Sequence, residues 1–268
     1  PASVLEADPF FAGFLGGVEA ALDEAGYALL QQIAATHERV LERTRQWALA
    51  GVVDGVFLTD VRTDDPRFAL VDDLGLPAVA INATPGRPSI SSVSQDHRQG
   101  MREVLDHLLT LGHRRIAHVS GPEGYVHSAE REQVWRDALA DAGLPADVCV
   151  RGDFTSEGGV RAADEILTQP DRPTAVVCVN DLTAIGFISR AAALGVRLPD
   201  DLSITGFDGI QLSSFTTPAL TTVETDPHGL GSAAAELLVA MIGGAAPAHR
   251  VIEPARMVVR GSTRPLST

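Results

Sequence analysis

The sequence is short of cysteine, of basic charge and of long apolar runs, and each shortage argues against a class of protein. Only two cysteines occur among 268 residues; Cys149 and Cys178 lie inside apolar runs, which indicates buried thiols and no disulfide framework. The sequence has 21 Lys and Arg residues against 35 Asp and Glu, a net charge of −14, so we do not expect this segment to bind nucleic acid. No run approaches the roughly 20 apolar residues that span a bilayer, and no signal peptide is visible, which favours the cytoplasm.

Enzymatic motifs are missing as well. The sequence contains no G-x-G-x-x-G, no G-x-x-x-x-G-K-[ST] and no G-x-S-x-G, and its eight histidines form neither H-E-x-x-H nor a Cys/His group at zinc spacing. His113 follows Gly112 at a helix end, where a polar ring is favoured in any case. We therefore expect no enzyme, no metal and no cofactor.

The chain is long enough for a large core and two lobes, and one stretch shows how it is organised. Two short apolar runs, Ala175–Val179 and Leu202–Phe207, are typical of buried parallel strands, and the segment between them has helical spacing that stops at Gly195. Asn180 and Asp208 follow the carboxyl ends of these strands, the edge where open α/β sheets bind ligands. A helix cap for Asn180 and a turn for Asp208 are the simpler alternatives.

Strands and helices are predicted to alternate along the whole chain. Helices are expected near 11–25, 38–49, from 66, and at 96–111, 128–142, 155–168, 182–194 and 230–242. Strands are expected at 27–33, 55–59, 77–81, 90–94, 115–120, 147–150, 175–179 and 202–207, with a closing extended segment at 250–260. This βαβ alternation predicts an α/β fold with two doubly wound, Rossmann-like halves.

Several fragments in order resemble the lac repressor family (LacI/GalR type) of sugar-responsive regulators. They are DPFF (8–11), LDHLLTLGHRRIAHVSGP (105–122), SAER (128–131), VCVNDLTAIGF (177–187), GVRLPDDLSITGFDG (195–209), LTTVETD (220–226) and RGST (260–263). The resemblance implies a periplasmic-binding-protein type I-like fold with a ligand cleft between two subdomains. It assigns 1–93 with 226–255 to one and 94–225 with 256–268 to the other, and places a first strand, a hinge and a helix-turn-helix before Pro1.

Strand-end polar groups and aromatic rings are the candidate ligand residues. Asp60, Asn82, Asn180 and Asp208 end strands, and Phe11 and Phe154 offer flat apolar walls. The resemblance adds Asp8, Phe10, Arg131 and Thr225 to the same pocket. Core packing is the alternative for both phenylalanines, and a solvated helical turn for Glu130–Glu132. Two positions depart from the family pattern: Thr225 stands where many members have Gln, and Ala83 where sugar-binding members often have Arg.

The resemblance implies a regulatory domain that binds a small polar effector, expected to be a carbohydrate, and forms a homodimer in the cytoplasm. Operator DNA would be contacted only through the upstream helix-turn-helix, and no membrane is involved. The alternative is a solute-binding receptor of an ABC-type sugar transporter, which shares the two-lobe architecture. The absence of a visible export signal and the repressor-like fragments lean against it.

Overall fold

The computed structural model of the protein describes residues 8–32, 36–83 and 88–266. These residues fall into two compact units. The first extends to Gln95 and includes Asp226–Glu253; the second consists of Asp96–Thr225 and the chain from Pro254 onward. The boundaries between the units therefore follow Gln95, Thr225 and Glu253, whereas the resemblance implies boundaries after Val93, Thr225 and Ala255.

Helices and short strands alternate along the described residues. In chain order they are α1 (Pro9–Glu24), α2 (His37–Leu49), β1 (Val56–Leu58), α3 (Pro66–Leu74), β2 (Ala78–Ile81), β3 (Ser91–Gln95), α4 (His97–Thr110), β4 (Ile116–Ser120), α5 (Val126–Asp141), β5 (Cys149–Arg151), α6 (Ser156–Leu167), β6 (Ala175–Cys178), α7 (Asp181–Ala193), β7 (Ser203–Thr205), a 3₁₀ turn (Gln211–Ser214), β8 (Thr222–Glu224), α8 (Pro227–Ile242), β9 (His249–Ile252) and β10 (Arg256–Val258). The 3₁₀ turn and β8 were not predicted from the sequence, and the closing extended segment is divided into two strands.

The first unit contains a parallel sheet in the order β1-β2-β3-β9. Helices α1 and α8 pack closely because each carries a glycine at the contact: a Cβ at Gly17 would collide with the carbonyl of His228, and one at Gly231 with that of Phe14. Their apolar faces cover Val79, Ile81 and Val93 of the sheet. The predicted alternation of strands and helices is confirmed here.

The strand predicted at Tyr27–Ile33 is wrong over its described part. Tyr27–Gln32 lies outside any strand, and Ile33 lies outside the described residues. Among the described strands, β1 pairs only with β2, so Tyr27–Gln32 has no described ladder to join. An apolar sequence favours a strand only when a neighbouring strand satisfies its backbone groups.

The second unit contains a parallel sheet in the order β5-β4-β6-β7, and β8 pairs with β10 in a separate antiparallel ribbon. One face of the sheet packs on α6 and α7, and the other on α4 and α5 around Trp135 and Phe207. The chain passes from β4 outward to β5 and then returns past β4 to β6 on its other side. This reversal makes the carboxyl ends of β4 and β6 a topological switch point, where α/β sheets bind ligands.

Close packing of α6 on α7 gives a first testable prediction. A Cβ at Gly159 would collide with the carbonyl of Thr183, whereas a Cβ at Gly16, on the exposed side of α1, would meet nothing. We expect Gly159→Ala to lower the free energy of unfolding by about 1–3 kcal/mol through overpacking. Gly16→Ala, the matched control, should raise it by about 0.5–1 kcal/mol, since alanine is the better helix former. Urea unfolding measures both, and changes of the same sign in both variants would contradict this packing.

Candidate functional site

Arg131, on α5, is buried at the strand ends of the second unit with 5% of its surface exposed. Its Nη1 donates to the carbonyl of Val179 at 2.6 Å, and its Cζ lies 3.6 Å from the centroid of the Phe207 ring. Its Nη2 lies 3.7 Å from Asp208 Oδ1. A buried guanidinium is tolerated only with acceptors and a counter-charge beside it, and these contacts supply both. The alternative of a solvated helix residue is therefore wrong for Arg131.

His97 begins α4 and is 5% exposed. Its Nδ1 lies 3.3 Å from Nη2 of Arg131; because arginine can only donate, Nδ1 accepts and the proton is on Nε2. Within the described residues, this buried Nε2–H has no hydrogen-bond acceptor. Burial, and then the charge of Arg131, lower the pKa of His97 well below 6.5, so the ring is neutral at neutral pH.

Asp208 follows β7 in an unusual backbone conformation, with φ +102°. Its N–H donates to Val223 O at 2.9 Å, and its carbonyl accepts from Thr225 Oγ1 at 2.9 Å. The predicted turn is present, since Gly209 also has a positive φ, and it directs the Asp208 carboxylate toward Arg131. Thr225, one of the residues assigned to the pocket, thus supports the Asp208 backbone.

Asn180 caps α7 and also joins a second cluster. Its Oδ1 accepts from Thr183 N at 3.0 Å, which confirms the predicted cap, and its Nδ2 donates to the carbonyl of Phe154 at 3.0 Å. The Phe154 ring stacks on His127 at 5.3 Å and meets Tyr125 edge-on at 5.6 Å. A Cβ at residue 121 would strike the Phe154 ring, so a glycine is required there. Phe154 is half-buried in this aromatic cluster and is not a simple core residue.

These two groups meet at the carboxyl end of β6. The carbonyl of Val179 accepts from Arg131, and the next residue, Asn180, donates to the carbonyl of Phe154. The segment 121–128, which carries Tyr125 and His127, follows the neighbouring strand β4. We call this set the strand-end cluster; its members are Arg131, His97, Phe207, Asp208, Asn180, Phe154, Tyr125 and His127. It lies at the switch point of the second sheet.

The first unit holds the other predicted site residues. Leu58 lies opposite Ala80 in parallel strands, so Asp60 and Asn82, each two residues further, occupy equivalent positions at one sheet edge. Asn82 Oδ1 accepts from Gln95 N at 3.1 Å, and the carbonyl of Asp60 accepts from Arg67 at 3.2 Å.

Asp8, Phe10 and Phe11 lie together at the start of α1. Asp8 caps the helix by accepting from Phe10 N at 3.0 Å, and the two phenylalanine rings are 6.3 Å apart. Phe10 packs against the core of the first unit, whereas Phe11 lines a largely apolar cavity of about 300 Å³ with Phe14 and Leu15. Phe11 therefore has apolar neighbours on one side, as the core-packing alternative predicts.

Sequence reasoning missed His97, Tyr125 and His127. A signal was available for the last two, because they follow β4 just as Asn180 follows β6, and strand-end loops of neighbouring strands meet at one edge. His97 had no such signal, since only the fold brings the start of α4 to Arg131.

Comparison with known proteins identifies the family of the chain. A family model described as periplasmic binding protein-like domain matches residues 105–263. The HTH-type transcriptional regulator in the aml 5′ region of Streptomyces limosus is 37% identical over 96% of this chain and 76% of its own length. HTH-type transcriptional regulator CelR of Thermobifida fusca is 35% identical over 95% of this chain and 74% of its own length. The chain belongs to the lac repressor family of transcriptional regulators.

Solved structures of lac repressor family members share the fold. The structure described as a transcriptional regulator CelR–cellobiose complex superposes with a TM-score of 0.90 at 33% identity, over 97% of this chain and 81% of that chain. A LacI family regulator from Mycobacterium smegmatis gives 0.85 at 34% identity, over 96% of each chain. The predicted two-subdomain, periplasmic-binding-protein-like class is confirmed, and so is the prediction that the chain is not an enzyme, since the relatives are named regulators.

Two features are absent from the part of the chain that the structure describes. Within residues 8–32, 36–83 and 88–266, no helix has the length and hydropathy needed to cross a membrane. No group of three or more histidine, cysteine or acidic side chains is arranged to hold a metal ion among those residues.

The neutral state of His97 predicts how stability depends on pH. Unfolded His97 has a pKa near 6.5, whereas the folded ring resists protonation, so below that pH the unfolded chain binds the extra proton. The stability due to neutral His97 is thus complete above about pH 6.5 and declines as pH falls, by up to about 1.4 kcal/mol for each pH unit.

We expect His97→Asn, which cannot take up this proton, to lose less stability than the parent between about pH 7 and pH 5. Exposed His228, replaced by Asn, serves as the control and should follow the parent. Urea unfolding at several pH values provides the measurement. Parallel curves for the parent and His97→Asn would show that His97 is not the neutral partner of Arg131.

Proposed function

We propose that this chain is the effector-binding, dimerising domain of a lac repressor family regulator, and that its effector is a carbohydrate bound at the strand-end cluster. The observation that carries the proposal is the buried Arg131 guanidinium beside the Asp208 carboxylate, with aromatic rings on the adjoining loops. Effector binding would control operator DNA through a helix-turn-helix upstream, in the cytoplasm.

The chemistry of the cluster suits a sugar. Arg131 and Asn180 are donors, Asp208 is an acceptor, and His97 adds an N–H that is buried beside Arg131. Sugars combine hydroxyl groups, which both donate and accept, with an apolar face that packs on aromatic rings such as Phe154 and Tyr125. Cellobiose, the compound named with CelR, is a ligand of this kind and the natural first probe.

In the first unit, the strand-end pair Asp60 and Asn82 and the helix-start group Asp8, Phe10 and Phe11 are proposed as further effector contacts. Their support is positional: Asp60 and Asn82 share one sheet edge, and Asp8 fixes the start of the helix that carries both phenylalanines.

Regulation requires that the effector distinguish two states of the protein. A ligand with equal affinity for both shifts nothing, whereas one that prefers a single state by tenfold shifts the equilibrium by about 1.4 kcal/mol. The alternative, a transporter's solute-binding receptor, is not favoured, because relatives that match nearly the whole chain are named transcriptional regulators.

The effector assignment gives a testable prediction. Calorimetry of the unmodified protein against mono- and disaccharides, with cellobiose first, should identify a ligand, and Arg131→Ala should weaken its binding by at least about tenfold, because a charged hydrogen-bonding partner is lost. Arg136→Ala is the matched control, since Arg136 lies on the same helix with its side chain 44% exposed. Equal affinity of the parent and Arg131→Ala would remove Arg131 from the site, and failure of every saccharide to bind would end the carbohydrate assignment.

We also propose that two copies of the chain associate through the face around the 3₁₀ turn. Phe215 and Leu212 are large apolar residues that are 74% and 51% exposed. Val259 is 54% exposed, and Arg260, the next residue, donates to Ser213 Oγ at 2.9 Å, so Val259 belongs to the same region. An apolar patch of this kind marks an interaction site, and a two-fold operator requires a symmetric pair of regulators.

The dimer prediction uses two apolar residues of the second unit. We expect Phe215→Ser to shift the protein from dimer to monomer in light scattering, since the substitution removes an aromatic anchor of the interface. Leu194→Ser, at an exposed leucine just after α7, is the control and should stay dimeric. A Phe215→Ser protein with the parent's mass at equal concentration would place the interface elsewhere.

A further inference from the structure

Asp181 is a fully buried carboxylate that begins α7, directly after Asn180. Its Oδ1 accepts from the hydroxyl of Thr222 at 2.5 Å, and its Oδ2 accepts from the backbone N–H of Ile210 at 2.9 Å. Its own N–H donates to the carbonyl of Phe207 at 2.7 Å. One residue therefore bonds to both ends of the segment 207–210 and to strand β8.

Burial makes this carboxylate costly, which points to a specific role for it. Desolvation raises the pKa of Asp181 to about 7, against the opposing effect of the hydrogen bonds from Thr222 and Ile210. The side chain of Asp181 also packs tightly against the backbone of Gly206, because a Cβ at that residue would collide with Oδ1 of Asp181. A buried carboxyl group is tolerated when hydrogen bonds satisfy it, and Asp181 accepts two.

The segment that Asp181 holds is the one that presents Asp208. Asp208 and Gly209 have φ values of +102° and +71°, a region that residues with side chains rarely adopt. Such a conformation persists only when several contacts impose it. The contacts from β8 fix the backbone of Asp208, and those of Asp181 fix Phe207 and Ile210 on either side.

We propose that Asp181 is a positioning residue of the effector site: its buried carboxylate and N–H hold residues 207–210 so that Asp208 faces Arg131. Asp181 itself does not touch the effector. The effect of Asp181 on ligand affinity rests on the proposed function. Its effect on the backbone of residues 207–210 does not depend on any ligand.

The test compares Asp181→Ala with Asp181→Asn. Asparagine keeps an oxygen for the N–H of Ile210, and its amide can donate to the Thr222 hydroxyl, which accepts as readily as it donates. Alanine keeps neither bond. In the unliganded protein, we expect Asp181→Ala to speed amide hydrogen exchange in peptides covering 203–212 by at least about tenfold, while Asp181→Asn stays within about threefold of the parent.

Two further variants separate positioning from general destabilisation. Ile166→Val removes a methyl group from the buried face of α6 and should lower overall stability, so it should speed exchange at 203–212 no more than elsewhere in the second unit. Thr222→Val removes only the bond to Oδ1 and should give a smaller, local increase at 203–212; it serves as the decisive variant should Asp181→Ala fail to fold. Parent-like exchange at 203–212 in both Asp181→Ala and Thr222→Val would overturn the proposal, as would an equal rise at 203–212 in Ile166→Val.

Calorimetry with cellobiose, or with the saccharide that the unmodified protein binds, completes the test. We expect Asp181→Ala to bind about tenfold more weakly or worse and Asp181→Asn to retain affinity within about threefold. Faster exchange at 203–212 with unchanged affinity would overturn the link from Asp181 to the effector site. Should no saccharide bind even the unmodified protein, the proposed function fails while the exchange measurements still decide whether Asp181 fastens the segment.

Discussion

The burial of one positive charge, that of Arg131, is the constraint on which the proposed site in the second unit depends. The Arg131 guanidinium is stable in its buried position only because a carbonyl, a carboxylate, a neutral imidazole and an aromatic face surround it. Each partner is available for a structural reason. The Val179 carbonyl is available because β6 ends one residue earlier, and His97 is neutral because burial and Arg131 itself disfavour its protonation.

Several of the ligand residues predicted from the sequence have uncommon backbone conformations. Within the described residues, five that are not glycine have a positive φ, and four of them, Asp60, Asn82, Phe154 and Asp208, were singled out as ligand residues from the sequence. Asp and Asn enter this region more easily than other residues, so Asp60 and Asn82 alone would mean little. Phe154 and Asp208, at +67° and +102°, are held there by surrounding contacts, and such conformations cluster at functional sites.

The sequence predicted the fold better than it predicted the site. Periodic apolar runs located nearly every helix and strand because burial of one face dictates them, but Tyr27–Gln32 failed since a strand also needs a partner that composition does not reveal. The sequence did not decide whether Asn180 is a helix cap or a ligand residue. The structure shows that its Oδ1 caps the helix while its Nδ2 donates to the carbonyl of Phe154. Arg131 lies between two glutamates, a pattern typical of a solvated turn, and only the packing of α5 shows that it points inward. His97 and Asp181 contact partners that are distant in sequence, so no local pattern distinguishes them.

Charge balance at the strand ends bears on which effector the proposed site would accept. Arg131 already faces the carboxylate of Asp208 at 3.7 Å, and His97 is neutral, so an anionic ligand would have to compete with Asp208 for the guanidinium. A net charge of −14 would further oppose the approach of an anion. A neutral polyhydroxylated ligand gains from both members of the Arg131–Asp208 pair without separating them, because each hydroxyl group can accept from one and donate to the other. At the proposed site, the pairing that makes the burial of Arg131 possible would therefore also favour an uncharged sugar over a sugar acid or a phosphate.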